Sequence, residues 1–255
     1  MRVLEQRKES QVNLMTWNMQ GAGTVGNPKA KWEKLADWLV NRPALTRPTV
    51  VAVQECGVIP DKLPGTVTYD REITPGGWPV KIYKWTAEDY PGLHTRDYYV
   101  SYAELDTGAN RVNLALVTEA DPEDAATTFA ETRPGLGVLI GDIWYFSIHA
   151  SAAVGWDVED LLANIWTTVG CGPWIALGDY NKQPTSIAWN GEVLAQPTHD
   201  CGLDSVAPPN YTHPRVGTSS PQRILDYGVQ TDYVGAAAAQ RVDMGMSDHY
   251  AVVFS

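Results

Sequence analysis

The sequence predicts an α/β protein built from two sheets with helices packed outside them. Three observations carry this. Short apolar runs of strand type outnumber helical stretches. Two clear helical stripes interrupt those runs at intervals. The 255 residues show no internal repeat, no linker and no low-complexity tract beyond Ala236 to Ala239. A chain of this length can close one sizeable core. Residues 1–10 are polar and read as a tail, and 11–255 read as a single domain.

The elements follow in order. Val12 to Trp17 (VNLMTW) is a short apolar run, read as a buried strand. Pro28 to Asn41 reads as a helix, because Trp32, Leu35, Ala36 and Leu39 fall at i, i+3, i+4 and i+7; Pro43 and Pro48 stop it. Thr49 to Val53 is β-branched and apolar, a second buried strand that ends at Gln54-Glu55. Residues 57–95 are rich in Gly and Pro and read as loops and edge strands. Tyr98 to Tyr102 and Val112 to Thr118 pair through a turn at 106–110. Gly137 to Ile140 and Ile143 to Ala150 form a hairpin about Gly141-Asp142. Val158 to Val169 is the second helix, with Asp157, Glu159 and Asp160 at its electropositive start and Gly170 at its end. Pro173 to Leu177, Ile224 to Val229 and Ala251 to Phe254 complete the strands.

Composition bounds the function. No run approaches the eighteen or so apolar residues of a membrane span, and the N-terminus has no apolar stretch of signal-peptide type. Ten Trp and twelve Tyr against three Phe read as rings that fill the core and line loops. Cys56, Cys171 and Cys201 show no C-x-x-C spacing, which argues against a structural zinc site. Their odd number leaves at least one thiol free; buried thiols with one disulfide are the expectation. The net charge of −11 argues against holding nucleic acid by charge neutralisation over the whole surface. A bound divalent cation or a local basic patch would be needed.

One pattern points to chemistry. Polar residues of catalytic type follow or close the buried strands: Asn18 after VNLMTW, Glu55 after TVVAVQ, His149 at the end of WYFSIH, and Asp179 and Asn181 after WIAL. Asp226 lies within RILDY, and Asp248 and His249 precede YAVVF. Strand ends aim side chains at a common point from a rigid base. Hydrolysis of a phosphodiester needs these types. A hard cation takes carboxylate oxygens, for which Glu55 and Asp248 are candidates. Histidine moves protons near neutral pH, and Asp226 can orient an imidazole. Asn18 and Asn181 can bond phosphate or water without adding charge, and Arg111 offers a fork of donors to a phosphate. His94, His199 and His213 lie in polar or Pro-rich loops and read as surface residues.

Thr16-Trp-Asn-Met-Gln-Gly21, Val53-Gln-Glu55, Ser147-Ile-His-Ala150, Gly178-Asp-Tyr-Asn181, Arg223-Ile-Leu-Asp-Tyr227 and Ser247-Asp-His249 come in this order. Together they resemble the ordered motifs of the endonuclease/exonuclease/phosphatase superfamily, which includes deoxyribonuclease I. Leu105 to Val117 (LDTGANRVNLALV), Tyr145 to Ala150, Arg223 to Tyr227 and Ser247 to Tyr250 resemble, more closely, the family of catalytic components of cytolethal distending toxins, the CdtB-like proteins. The resemblance spans nearly the whole chain, with 56–91 matching only loosely. Tyr180 stands where the superfamily most often has Phe.

The resemblance implies a four-layer helix–sheet–sheet–helix fold of DNase I type, with the site at the mouth between the sheets. It implies DNA cleavage dependent on Mg²⁺, with Mn²⁺ or Ca²⁺ as alternatives. Matched motif by motif, Glu55 and Asp248 are implied as metal ligands, and Asn18, Asp179 and Asn181 as surrounding metal, water and phosphate. His149 and His249 are implied as the catalytic histidines, Asp226 as the partner of His249, and Arg111 and Asn113 as phosphate or DNA contacts. Lectin-like delivery subunits and action in a host nucleus are implied as well, although no run of Lys or Arg serves as a nuclear address.

Three alternatives stand beside this reading. The same residues suit a phosphoinositide phosphatase, which the acidic pI favours. A nuclease that stays in the cytoplasm fits the missing signal peptide. A binding module that kept the fold but lost the chemistry predicts replacements at the catalytic positions, and Glu55, His149, Asp179, Asn181, Asp226, Asp248 and His249 show none.

Overall fold

The computed structural model describes residues 13–20, 28–44, 46–57, 63–75, 78–89, 92–106, 112–129, 133–186, 203–214, 221–231 and 234–255. The described strands are β1 (Leu14–Asn18), β2 (Val50–Gln54), β3 (Thr66–Ile73), β4 (Val80–Glu88), β5 (Thr95–Ala103), β6 (Leu114–Thr118) and β7 (Asp124–Phe129). They continue with β8 (Pro134–Ile140), β9 (Ile143–His149), β10 (Trp174–Asp179), β11 (Leu203–Val206), β12 (Asp226–Thr231), β13 (Ala239–Val242) and β14 (Ala251–Phe254). The helices are α1 (Pro28–Asn41) and α2 (Asp157–Val169). One sheet has the order β13-β14-β1-β2-β6-β5-β4-β3, and the other β11-β12-β10-β9-β8-β7. Both are mixed: β1 runs parallel to β2 and β10 parallel to β9, while the other pairs are antiparallel.

The alternation of side chains along each strand explains the layers. In β1, Leu14 packs between the sheets, while Met15 and Trp17 join Trp32, Leu35 and Leu39 of α1 on the outer face. Val50 and Ala52 of β2 point inward, and Val51 and Val53 outward. In the second sheet Ile175 and Leu177 of β10 fill the space between the sheets, whereas Trp174 and Ala176 meet Leu161, Leu162 and Ile165 of α2. Central strands are therefore apolar on both faces, which is why they read as unbroken hydrophobic runs. The result is the four-layer helix–sheet–sheet–helix sandwich.

A polar relay crosses between the sheets near their open end. Gln54 Nε2 donates to Ser147 Oγ (3.0 Å), Ser147 Oγ donates back to the Val53 carbonyl (3.1 Å), and Thr16 Oγ1 donates to Gln54 Oε1 (3.1 Å). All three side chains are buried. A buried amide and hydroxyl satisfied by each other fix the relative register of the two sheets where the site begins.

Segment 57–95 carries the expected edge strand but more strand than expected. The structure forms long strands there, β3, β4 and the start of β5, in an antiparallel meander. Its alternation is that of a half-exposed sheet, and the Gly and Pro residues that suggested loops lie between the strands. The short strands β7, β11 and β13 had no distinct sequence signal. Cys56 is buried and free, and Cys171 is disulfide-bonded. The tail 1–10, Arg111, His199 and Cys201 lie outside the described residues. Among the described residues, no helix is long and apolar enough to cross a membrane.

Candidate active site

The inward-facing stripe of each central strand runs out of apolar residues at the same end. Beyond Leu14 and Thr16 comes Asn18; beyond Tyr145 and Ser147 comes His149; beyond Ile175 and Leu177 comes Asp179. On β12, Asp226 precedes Gly228, whose Cα faces Leu177 and Phe254 between the sheets. Asp179 is the register partner of both His149 and Asp226. The core thus continues directly into a polar cluster. Glu55 has the wrong parity for this face, and its left-handed φ of 48° breaks the alternation there. Gln20 and Asn181 share that conformation, with φ of 49° and 50°. Non-glycine residues held in this region store strain, and here they bracket one site.

Asn18 Nδ2 donates to Asp179 Oδ2 at 3.0 Å and approaches Glu55 Oε1 at 3.3 Å. His149 Nε2 lies 3.7 Å from Glu55 Oε1 and 3.6 Å from Asp179 Oδ2. His249 Nε2 lies 3.7 Å from the same Asp179 oxygen. Both oxygens of Asp226 accept from His249 Nδ1, at 3.1 and 2.9 Å. The Asn181 backbone N–H donates to Asp179 Oδ1 (2.8 Å), and its side-chain amide donates to the Ala150 carbonyl (2.9 Å). Ser247 Oγ donates to the Asn18 carbonyl (2.8 Å) and accepts from the His249 N–H, tying the Asp248-His249 turn to β1.

Sequence reasoning missed three residues. Arg133 Nη1 contacts His149 Nδ1 at 2.8 Å. Guanidinium has only donors, so Nδ1 accepts and the ring proton sits on Nε2, facing Glu55 and Asp179. Lys31, on the buried side of α1, donates to the Met19 and Gln20 carbonyls and holds the turn after Asn18. His213, expected at the surface, is only partly exposed and joins the site. Its Nε2 is 3.3 Å from Asp248 Oδ2, and its ring lies 4.4 Å from that of His249. Thr212 anchors that loop, since its hydroxyl accepts from the Leu225 and Asp226 N–H groups. By contrast His94 sits away from the cluster, paired with Asp89.

Asn113 is also placed differently from the expected phosphate contact. Its side chain is fully buried, where it accepts from the Leu105 and Asp106 N–H groups and donates to the Gly57 carbonyl and Tyr102 hydroxyl. Those bonds order the segments around it and take up the polar atoms a phosphate would need. Tyr180 stacks on Tyr227 with centroids 4.0 Å apart, and its hydroxyl donates to the Ala176 carbonyl. The Phe-to-Tyr departure is thus satisfied within the core.

The electrostatics follow from burial and neighbours. Burial raises Glu55, partly opposed by the hydrogen bond from Asn18 and the nearby positive charges of His249 and Arg133. Burial likewise raises Asp179. Burial keeps His149 neutral, and the charges of Arg133 and His249 add to that. Burial also works against charging His249, but Asp226, Asp179 and Asp248 outweigh it and lift its pKa to about 10. Lys31 is lowered by burial against the pull of Glu55 and Asp248. Glu55 and Asp179, both raised by burial, offer carboxylate oxygens of the kind a hard divalent cation takes and neutralises, and the half-exposed Asp248 offers another. Among the described residues, Asp179 with Asp226 and His249, and His213 with Asp248 and His249, each bring three possible ligand atoms within 4.8 Å.

Two facing mixed sheets between helices, with this Asn–Glu–Asp–His cluster at their mouth, give the chain the DNase I-like fold class, a fold it shares with solved endonuclease/exonuclease/phosphatase-family proteins. Within that class the chain is similar along nearly its whole length to CdtB of the cytolethal distending toxins. It is 28% identical to the CdtB homolog of Salmonella typhi, with 96% of this chain and 89% of that protein covered. It superposes on the Haemophilus ducreyi cytolethal distending toxin with a TM-score of 0.75 at 27% identity, covering 95% of this chain and 97% of that one. A solved structure of CdtB, described as the biologically active subunit of the toxin, gives a TM-score of 0.71 at 26% identity, covering 96% and 97%. No family model matches the sequence.

Proposed function

We propose that this protein is a divalent-metal-dependent endonuclease that hydrolyses DNA phosphodiester bonds, and that it is the active subunit of a bacterial genotoxin. The observation that carries the reading is the convergence of Asn18, Glu55, His149, Asp179 and His249 at one strand end, with Asp179 Oδ2 within 3.7 Å of both imidazoles. The similarity to CdtB favours DNA over other phosphate esters and a toxin over a housekeeping enzyme. It also supports delivery through separate, lectin-like cell-binding subunits, secretion, and action in a host nucleus.

Glu55 and Asp248, with Asp179 beside them, hold the metal, for which Mg²⁺ is the proposed ion and Mn²⁺ or Ca²⁺ the alternatives. When bound, the ion supplies positive charge to the scissile phosphate and lowers the pKa of water. The protein's own groups do the rest. His149 presents an Nε2–H and His249 a protonated ring, so both donate to phosphate oxygens. Asp179, raised by burial, is placed to accept a proton from the attacking water. Asn18 and Asn181 hold Asp179 in orientation, and Asp226 holds His249.

A second reading, hydrolysis of a phosphoinositide by the same groups, is favoured by the net charge of −11. The test of the first is nicking of supercoiled plasmid in Mg²⁺ by wild type, by His149→Ala and with EDTA. The expected result is nicking by wild type alone, with the variant reduced on the order of 10³-fold or more. Equal nicking by the variant would remove His149 from the chemistry.

A further inference from the structure

His213 adds to Asp248 and His249, which the proposed hydrolysis already uses, a third ligand group that the hydrolysis does not require. His213 comes from the 211–213 loop rather than from a central strand. Its ring lies tilted at 35° against that of His249 with centroids 4.4 Å apart, and its Nε2 is 3.3 Å from Asp248 Oδ2. His249 Nε2 is 3.8 Å from the other oxygen, Oδ1, which is buried and accepts no hydrogen bond. One ligand atom from each residue lies within 4.8 Å of the others. Ligand atoms about 2.0 Å from a tetrahedral ion are roughly 3.3 Å apart, so small side-chain adjustments close the set around a zinc-sized ion. Behind it, Asp226 takes His249 Nδ1 with both oxygens, the carboxylate–histidine support that directs the opposite nitrogen at a metal. Two imidazoles and one carboxylate suit Zn²⁺ and suit Mg²⁺ poorly.

We infer that His213, Asp248 and His249 form a second cation site that takes Zn²⁺, and that an ion there withdraws the His249 ring from hydrolysis. His213 is decisive, because without it only the sequence-adjacent Asp248 and His249 remain, too few for a closed site. The fourth position faces Asp179 Oδ2, 3.7 Å from His249 Nε2. Binding of the ion stands on the geometry alone; its effect on activity rests on the nuclease reading.

The experiment titrates folded protein with Zn²⁺ against a zinc-responsive dye in excess Mg²⁺, and repeats it with Co²⁺, whose visible absorption reports coordination. Wild type is expected to bind one Zn²⁺ and to give a four-coordinate Co²⁺ spectrum. His213→Ala and His213→Asn, with circular dichroism and melting to check folding, are expected to lose the spectrum and weaken Zn²⁺ binding about 100-fold. In plasmid nicking, Zn²⁺ is expected to inhibit wild type at the concentration that fills the site, and each variant to need about 100-fold more. No Zn²⁺ binding by wild type, or binding unchanged in both variants, overturns the site. Binding that depends on His213 but leaves nicking untouched overturns the withdrawal of His249. If wild type does not nick plasmid at all, the nuclease reading fails while the binding titration still decides the site.

Discussion

His149 Nδ1 receives a hydrogen bond from Arg133, and this one contact decides which nitrogen of the ring faces the pocket. Removing the guanidinium frees the other tautomer. Arg133→Ala is therefore expected to lower kcat on the order of 10²-fold or more while KM changes little, and to shift the His149 ring nitrogens in ¹⁵N NMR. An unchanged kcat with an unchanged ring spectrum would show that the contact positions nothing. Asp89 allows a cleaner test of charge, away from the metal site. It accepts from the Leu93 and His94 N–H groups and from the His94 ring, and the ring bond comes first among the causes that hold its pKa at about 2. A carboxylate lowered in the folded state adds stability above its ordinary value of 3.8 and loses it as pH falls through the folded value. Asp89→Asn should melt below wild type at neutral pH, and the gap should close between about pH 4 and pH 2. A gap constant with pH would assign the effect to packing. At this scale the sequence made Asn18, Glu55, His149, Asp179, Asp226 and His249 legible, because each terminates or flanks an apolar run. Arg133, Lys31 and His213 were not, because a basic residue beside a proline, on a helix or in a loop looks like solvent-facing charge until tertiary contacts bury it.

The elements that carry the site were legible for a related reason. Strands buried on both faces stand out as β-branched runs, and α1 and α2 each bury one stripe at helical spacing; the structure places α1 at the expected residues and α2 within one residue. The bounds and length of strands β3 and β4 escaped because a half-exposed strand mixes Thr, Lys, Glu and Tyr, and its turns supply the Gly and Pro that suggest loops. The close approach of β10 to β9 leads to a prediction. A Cβ on Gly178 would lie 2.0 Å from the Ile148 carbonyl oxygen, a backbone atom that cannot swing aside. Gly178→Ala must push the two strands apart beside the Asp179–His149 pair. It is expected to cost roughly 3 kcal/mol or more of stability and to reduce nicking more than the loss of folded protein explains. Wild-type melting and activity in this variant would mean that the strands are less tightly joined than the structure has them.

For the molecule as a whole, the net charge of −11 sets the problem that, on the proposed function, a bound divalent ion would solve. A protein this acidic gains little from counterion release, so its hold on DNA should depend on the divalent ion more than on salt. Retardation of a catalytically silent variant, His149→Ala, on duplex DNA should require Mg²⁺ or Ca²⁺ and should show a shallow salt slope. Tight binding in EDTA with a steep slope would reveal a basic face instead. The four-layer architecture was legible only through the family resemblance; periodicity alone reached two sheets with helices outside. The missing information was pairing across the sandwich, such as Gln54 to Ser147, which joins residues 93 positions apart. No local pattern records a contact of that range.

The central claim is that the Asn18–Glu55–Asp179–His149–His249 cluster cleaves DNA. Its most direct test gives one preparation of folded, Mg²⁺-loaded protein two substrates, supercoiled plasmid and a phosphoinositide, each alongside His149→Ala. The account predicts plasmid nicking that the substitution abolishes, with little or no phosphate released from the lipid. Phosphate release without nicking, lost in the same variant, would contradict it and assign this site to lipid phosphate esters.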